Sequence, residues 1–488
     1  MPLNILITGA GVSGPVLAHL LRVSNPSHNI TIIERSPSLR LAGQQIDIKS
    51  HGVPIIAKLG LRDAIVSKRV NETGAEMVDA KGRSLGRFGI DEAEGGEKMG
   101  VVGKRGLGFT SEIEIMRGDL VRVVVEGSLG VQRRVEEDAE RGKKDYETQR
   151  AKKREGNGKG RETSVGTLTY EFNKTLTSLS QHSDSVTGKP AGVTVTFSTN
   201  EQKTYDLVIG ADGQSSQTRR LAFSSQISNS CFHSLGIHTA YYSIPSLPSD
   251  LSTLARIHIS TSQRAVMTRN GDRDSTQIYL FTMASGDALR VSYKQDIVAQ
   301  KAVWREIFTG VGWQAERFLD GMDKCADFYA CELGQVKLPS LYNGRVVLLG
   351  DAGYCPSPFT GLGTTVSLAG AWVLAGELAR HGDDVDGALE KYDGVMKPAI
   401  REWQELQFGD LGTFFPKGRW GVWVLENGVW VMDRLMVRQI VGWVWGSGVW
   451  VVEKLGVGKL VRFMVPKKEK DGGWKLPEYP ELGLGALA

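Results

Sequence analysis

The chain has few cysteines, only Cys231, Cys325, Cys331 and Cys355 among 488 residues. They show no C-x-x-C spacing and are too few for a disulfide framework, so they read as reduced thiols in an intracellular compartment. No charged n-region and apolar h-region precede the first apolar run, so a cytoplasmic protein is expected rather than a secreted one. His, Cys, Asp and Glu form no cluster with metal-ligand spacing, and neither a Ser-His-Asp arrangement nor a G-x-S-x-G elbow stands out. The longest uncharged run in the Trp-rich C-terminal stretch, 439–452, is too short to cross a bilayer. An excess of charge of one sign is lacking as well. A net charge of +4 gives no argument for nucleic acid, and in the basic segment 133–162 acids are interleaved.

Much else is present. The length exceeds what one core usually fills, which predicts two or three domains, and 41% apolar with 23% charged residues describes a globular protein. The N-terminal stretch organises the rest. Asn4-Ile-Leu-Ile-Thr8 has strand length, Gly9-Ala10-Gly11-Val12-Ser13-Gly14 follows at once, helical apolar spacing runs through 15–22, and Ile30-Thr-Ile-Ile33 ends in Glu34-Arg35. Gly9 allows a tight turn, Gly11 lets a pyrophosphate approach the backbone, and Gly14 lets the helix pack close to the strand. The helix N-terminus, which includes Ser13, favours an anion, and Glu34 stands where it can accept hydrogen bonds from a ribose. With 59 glycines the G-x-G-x-x-G alone could be an ordinary turn; strand, helix and acid around it predict dinucleotide binding. NAD and FAD sites share the pattern.

Residues 36–52 read as a turn and a polar loop, which puts Arg40 and Asp47 either near the cofactor or in solvent. Helical spacing resumes over 53–66, and 74–108 looks like strands and turns. The segment 112–126 pairs a short strand with a helix carrying Asp119 in its first turn; Arg117 before it is a surface charge or an anion contact. Residues 133–162 have almost nothing to bury and are expected to be disordered or a solvated helix. A nucleic-acid arm is disfavoured there, since only Tyr146 could stack. Strands are expected at 168–172 and 193–197, and a buried strand over 205–210 ends in Asp212-Gly213. The stretch 236–338 alternates mostly as strands, at 239–244, 255–259, 277–282 and 289–293, with one helix at 302–308, and predicts an antiparallel sheet able to close over a substrate. A further buried strand ends in Gly350-Asp351. The loop after it holds Pro358, Gly361, Gly363 and Thr364, and a long apolar helix over 366–380 follows. Such a loop lets backbone approach a flat ligand at the helix N-terminus.

Three motifs in this order, Gly9 to Gly14 with Glu34-Arg35, Asp212-Gly213 with Arg219, and Gly350-Asp351 with Pro358 and Gly361, resemble the FAD-dependent aromatic hydroxylases of the para-hydroxybenzoate hydroxylase fold, the class A flavoprotein monooxygenases. The resemblance covers residues 1 to about 400. Around 43–52, 112–120 and 356–365 the chain is most similar to tetracycline-inactivating monooxygenases and fungal secondary-metabolite enzymes.

The resemblance implies an α/β fold: a Rossmann-like FAD-binding domain interleaved with a mostly antiparallel substrate domain, plus a helical C-terminal region. The implied divisions are FAD-binding parts at 1–80, 111–235 (with the charged insertion 133–162) and 340–400, substrate-domain strands at 81–110 and 236–339, and a C-terminal helical region and tail at 401–488. Glu34 would bind the adenosine ribose with Arg35 nearby, and Arg40 and Asp47 would lie beside the cofactor. Arg117 would contact the diphosphate or ribityl region, Asp212-Gly213 would serve FAD and NAD(P)H, and Asp351 the ribityl chain. Gly361, Gly363 and Thr364 would lie against the isoalloxazine. One departure is Tyr354, where many members carry His, so their substrate orientation does not carry over. In such enzymes NAD(P)H reduces FAD, O2 adds to give a C4a-hydroperoxyflavin, and oxygen passes to a small-molecule substrate; the flavin carries the chemistry, and no protein side chain is assigned as catalytic. The implied function is hydroxylation or epoxidation of an aromatic, polyketide or terpenoid-like compound in secondary metabolism. Its rivals are a flavin oxidoreductase without oxygen insertion and an inactive FAD-binding scaffold. The Trp-rich stretch 421–465 packs as helices on the protein or makes peripheral membrane contact, and 467–488 reads as an extended tail.

Overall fold

The computed structural model describes residues 2–88, 113–152, 165–183, 188, 190–271, 273–406, 412, 415–434 and 473–484. It is a mixed α/β protein. Six strands form one sheet in the order Tyr342–Asn343, Val346–Leu348, Leu207–Gly210, Asn4–Thr8, Asn29–Ile33 and Leu168–Glu171, parallel except for its first pair. Side chains on a strand alternate between faces. Ile5 and Ile7 accordingly join a core with the helices Ser13–Ser24 and Gly363–His381, whereas Leu6 packs on the opposite side against Val193, Val195 and Phe197 of a three-stranded sheet. Both faces are covered, which is why these strands are continuous apolar runs.

A seven-stranded sheet takes the order Tyr329–Val336, Phe232–Pro245, Ser275–Thr282, Arg264–Arg269, Leu254–Ser260, Gly74–Val78 and Ser84–Phe88. Only the pairing of Leu254–Ser260 with Gly74–Val78 is parallel. Ala240, Tyr242 and Ile244 bury one face against Trp304, Phe308 and Phe318 of the helices Ile297–Phe308 and Ala315–Lys324. Thr239 and Tyr241 project from the other face, in register with Phe281 and Tyr279 and with Cys331 and Tyr329.

Several expectations change. Residues 289–293 are not a strand: Gly286–Ser292 is a helix. Leu289 and Ser292 are buried while Val291 is 61% exposed, a helical spacing that five residues cannot distinguish from alternation. The expected loop 36–52 contains the strand Gln45–Ile48, paired with Ile113–Met116. The single helix expected over 53–66 is two, Gly52–Lys58 and Arg62–Val66, broken at Gly60 with φ 69°. The helix Arg117–Lys152 takes in 133–152 of the charged segment; 153–162 lies outside the described residues, as do 89–110 and 435–465. Arg419–Arg434 is helical, buries Leu425 and Val429 and exposes Trp420, Trp423 and Trp430.

The tail is docked. Among its described residues Trp474 meets Trp403 edge-on at 5.1 Å, Pro477 O accepts a hydrogen bond from Trp372 Nε1 at 2.9 Å, and Tyr479 is 3% exposed. Buried aromatic area outweighs the ordering cost that its polar neighbours suggested. Among the described residues no helix is long and apolar enough to cross a membrane.

Candidate cofactor and substrate site

The glycine turn closes the first strand onto the helix behind it. Gly9 has φ 106°, and a Cβ there would stand 2.5 Å from Ala211 O; at Gly14 it would stand 2.3 Å from Gly9 O. Only glycine fits such contacts. Over the turn lies Arg117, whose Nη2 would be 3.6 Å from a Cβ on Gly11. Its Nη1 donates to Arg40 O at 3.0 Å and Ala42 O at 3.3 Å, and its stem packs where a Gly43 side chain would be. Burial and Arg40 lower the Arg117 pKa to about 10, opposed by Tyr329, Glu34 and Asp351. It remains cationic at neutral pH.

Glu34 accepts from Ala10 N at 3.1 Å and Ser36 N at 3.0 Å, so its carboxylate is pinned beside the turn with lone pairs to spare. Arg35 is exposed. The Arg40 guanidinium lies 4.9 Å over the Tyr329 ring, a cation–π contact that links the turn to the sheet. Asp351 opens the short helix Asp351–Tyr354; burial raises its pKa, opposed by Cys355 and Arg117. A Cβ on the preceding Gly350 would lie 2.5 Å from Ser13 Oγ, so the third motif is packed onto the first. Gly361 has φ 63°, Gly363 has open space around it, and both are half-buried with Thr364.

Thus Gly11, Glu34, Arg40, Arg117 and Asp351 converge. Asp212 is directed elsewhere: its carboxylate accepts from Ser216 Oγ, Gln217 N and Thr218 N at 2.5, 2.8 and 3.0 Å, which caps the helix Gln217–Ala222 and shapes the turn at Gly213. Asp47 pairs with Lys49 at 2.9 Å on the neighbouring strand. Tyr354 is 1% exposed and hydrogen-bonds Tyr392 Oη at 3.0 Å within the core. Sequence reasoning missed Tyr329 and Gln214. Gln214 Nε2 donates to Glu332 O at 2.8 Å and Arg219 Nη1 to Ala352 O at 2.6 Å, tying the Asp-Gly turn to the sheet and to the third motif. Nothing local marks Tyr329, whose ring matters only for what reaches it from far along the chain.

The cradle combines a helix N-terminus, glycines leaving room at the backbone, two arginines and two carboxylates. Such a set suits a ligand with a negative centre and hydroxyl-bearing ends. Facing it, the sheet presents Tyr241, Met267, Tyr279, Phe281 and Cys331, with Tyr241 and Tyr279 edge to face at 5.1 Å.

Comparisons with known proteins agree. The family described as FAD binding domain matches residues 3–404, and the chain belongs to it. The chain is 36% identical over 489 residues to the FAD-dependent monooxygenase asL6 of Sarocladium schorii, with 100% of each covered. Identity to the flavin-dependent monooxygenase eupH of a Phoma species is 30% over 441 residues, 87% of this chain and 90% of that one. Among solved structures, tetracycline destructase Tet(55) superposes with a TM-score of 0.63 at 26% identity, covering 97% of this chain and 98% of that one. Klebsiella pneumoniae HpxO complexed with FAD and uric acid, 18% identical with a TM-score of 0.58 over 90% and 95%, shares the fold. The protein is an FAD-dependent monooxygenase of class A.

Proposed function

We propose that the enzyme uses NAD(P)H and O2 to hydroxylate or epoxidise an aromatic, polyketide or terpenoid-like compound in secondary metabolism. The observation carrying this reading is the opposition of two surfaces joined through Arg40 and Tyr329: a polar cradle on the parallel sheet and an aromatic, thioether-bearing face on the other. In this reading the division into an interleaved FAD-binding domain and a substrate sheet follows these two surfaces. Glu34 holds the adenosine ribose. Arg117 neutralises the diphosphate, with Gly9, Gly11, Ser13 and Gly14 beneath it. Asp351 accepts from the ribityl chain, and Gly361, Gly363 and Thr364 lie along the isoalloxazine. Asp212 contributes through the shape of its turn, since its carboxylate is spent on the helix cap. FAD, when bound, supplies the redox chemistry and oxygen activation. This chain's residues hold it, orient a flat substrate by stacking on Tyr241, Tyr279 and Phe281, and keep water out with the apolar sheet face. The names of the fungal relatives support a monooxygenase, and the destructases in whose likeness it folds are named for tetracycline.

The test is incorporation of labelled oxygen. Holoenzyme given NADPH, 18O2 and a panel of polycyclic phenols should yield one product carrying a single label. NADPH oxidation that forms only hydrogen peroxide with every compound would instead indicate an oxidoreductase without oxygen insertion.

A further inference from the structure

Strands Gln45–Ile48 and Ile113–Met116 form a two-stranded antiparallel ribbon in which Asp47 stands directly opposite Glu114. Two carboxylates facing each other in this way repel unless a proton or cation intervenes. Two cations lie among these acids, each held first by one of them. Arg269 Nε donates to Glu72 Oε2 at 2.9 Å, and Lys49 pairs with Asp47 at 2.9 Å. Glu114, 3% exposed, lies between these pairs; it accepts from Gln45 Nε2, and Arg269 Nη2 is 3.4 Å from its Oε2. Among the described residues three acids, Asp47, Glu72 and Glu114, therefore share two cations, Lys49 and Arg269. Burial above all pushes Glu114 up to about 9, with Asp47 and Glu72 adding and Arg269 opposing, so at neutral pH Glu114 is protonated. Among the described residues Tyr279 is a further titratable group packed around it, with a raised pKa caused first by burial.

The ribbon sits between the two surfaces of the site. Arg117 directly follows one strand, and Gly43 and Gln44 directly precede the other. Toward the sheet, Gln45 N donates to Gln277 Oε1 at 3.0 Å and Tyr279 Oη at 3.1 Å, Tyr279 donates to Gln277 Oε1 at 3.0 Å, and Gln277 Nε2 lies 3.0 Å from Met116 Sδ. Tyr279 in turn packs on Tyr241, and Tyr241 stacks with Tyr329 under Arg40. A connected buried network of this kind fixes one arrangement only while every member is satisfied.

We propose that Glu114 is a positioning residue for the monooxygenase reaction, which through Gln45 and Arg269 locks the ribbon carrying Gly43 and Arg117 against the aromatic face of the sheet and so sets the separation of flavin and substrate. The proposal rests on the reading of the cradle as the FAD site. The Glu114 proton makes the lock sensitive to alkali. Native Glu114 keeps a proton that the unfolded chain releases near 4.5, so stability declines as pH rises from about 4.5 to about 9. Above that range the carboxylate ionises beside Asp47 and Glu72, and the ribbon loosens.

The experiment titrates apoprotein with FAD, by flavin fluorescence and the visible spectrum, from neutral to alkaline pH for the wild type, Glu114→Gln and Glu114→Ala. Glutamine reproduces the neutral acid and has no proton to lose. Wild-type affinity is expected to fall about tenfold or more between about pH 7 and 10, with a matching change in the flavin bands. Glu114→Gln should bind within about twofold of wild type at neutral pH and keep only the smaller alkaline loss that Arg117 contributes near pH 10. Thermal unfolding should likewise lose its decline with pH in that variant. Glu114→Ala should weaken FAD already at neutral pH; should it not fold, the glutamine comparison still decides. An alkaline step in Glu114→Gln equal to the wild type's overturns the positioning role, and so does wild-type behaviour of a folded Glu114→Ala. Wild-type protein that binds no FAD at any pH overturns the reading of the cradle and this inference with it.

Discussion

Arg117 shows how one side chain joins distant parts of the chain. Its guanidinium lies against Gly11, its donors hold Arg40 and Ala42, and its field meets Glu34 and Asp351. From sequence it could equally have been a surface charge, because nothing within a few positions of it says where the guanidinium points. Arg117→Ala should weaken FAD binding by about 10- to 100-fold, the 1.5–3 kcal/mol of a hydrogen bond to a charged group. Arg117→Lys should recover only part of that loss, since an ammonium cannot hold two carbonyls and an anion with one planar fork. FAD titration of the purified apoproteins checks both. Unchanged affinity in the alanine variant would remove Arg117 from the site. The Asp212 carboxylate is the converse case. A motif points to it, yet its hydrogen bonds go to its own helix cap, so its influence passes through backbone shape.

Among the elements, the long apolar helix Gly363–His381 was legible from its spacing, but not what covers it. Tyr479 lies against Gly376, where a Cβ would stand 2.2 Å from the ring, and donates to the buried Glu377 at 2.7 Å. Arg380 sits 4.6 Å over the same ring and pairs with Glu481 at 3.0 Å. The described tail is thus a strap over the helix whose first residues, Gly363 and Thr364, belong to the proposed flavin site. Tyr479→Ala removes a buried aromatic and should cost about 3–5 kcal/mol in stability. Tyr479→Phe, which loses only the hydrogen bond to the Glu377 carboxylate, should cost about 1.5–3 kcal/mol. Urea unfolding of the two variants measures the difference; equal, small losses would show that the strap does not hold the helix. The helix Gly286–Ser292 carries the complementary lesson, since a stretch read as a strand for its alternation became helical because only Leu289 and Ser292 had a core to face.

For the whole molecule, the residues that flank the charged segment lie close together. Gln132 Nε2 is 3.3 Å from Gly166 O, so the chain leaves and re-enters the fold at neighbouring points. The side chains at 133, 134 and 136–138 are exposed or half-buried, with nothing apolar to lose. Replacing residues 137–162 with a short Gly/Ser linker should therefore leave flavin content unchanged and alter stability by no more than about 1 kcal/mol. Absorbance at the flavin maximum per mole of protein, with the melting temperature, checks this; a colourless or insoluble product would give the segment a structural task.

Local chemistry by itself determined the glycine turns on which the proposed FAD site is built. Glycine spacing, apolar runs of strand length and an acid at the strand end act over a few residues, where steric and hydrogen-bond rules hold whatever the surroundings. The same rules identified the buried strands of the parallel sheet. Only the tertiary structure decided that Arg117 faces the turn, that Arg40 lies over Tyr329, that the tail folds back onto its helix, and that Asp47 meets Glu114. Each of these joins residues far apart in sequence, and burial and partner charge, which set their chemistry, exist only after the sheets have packed.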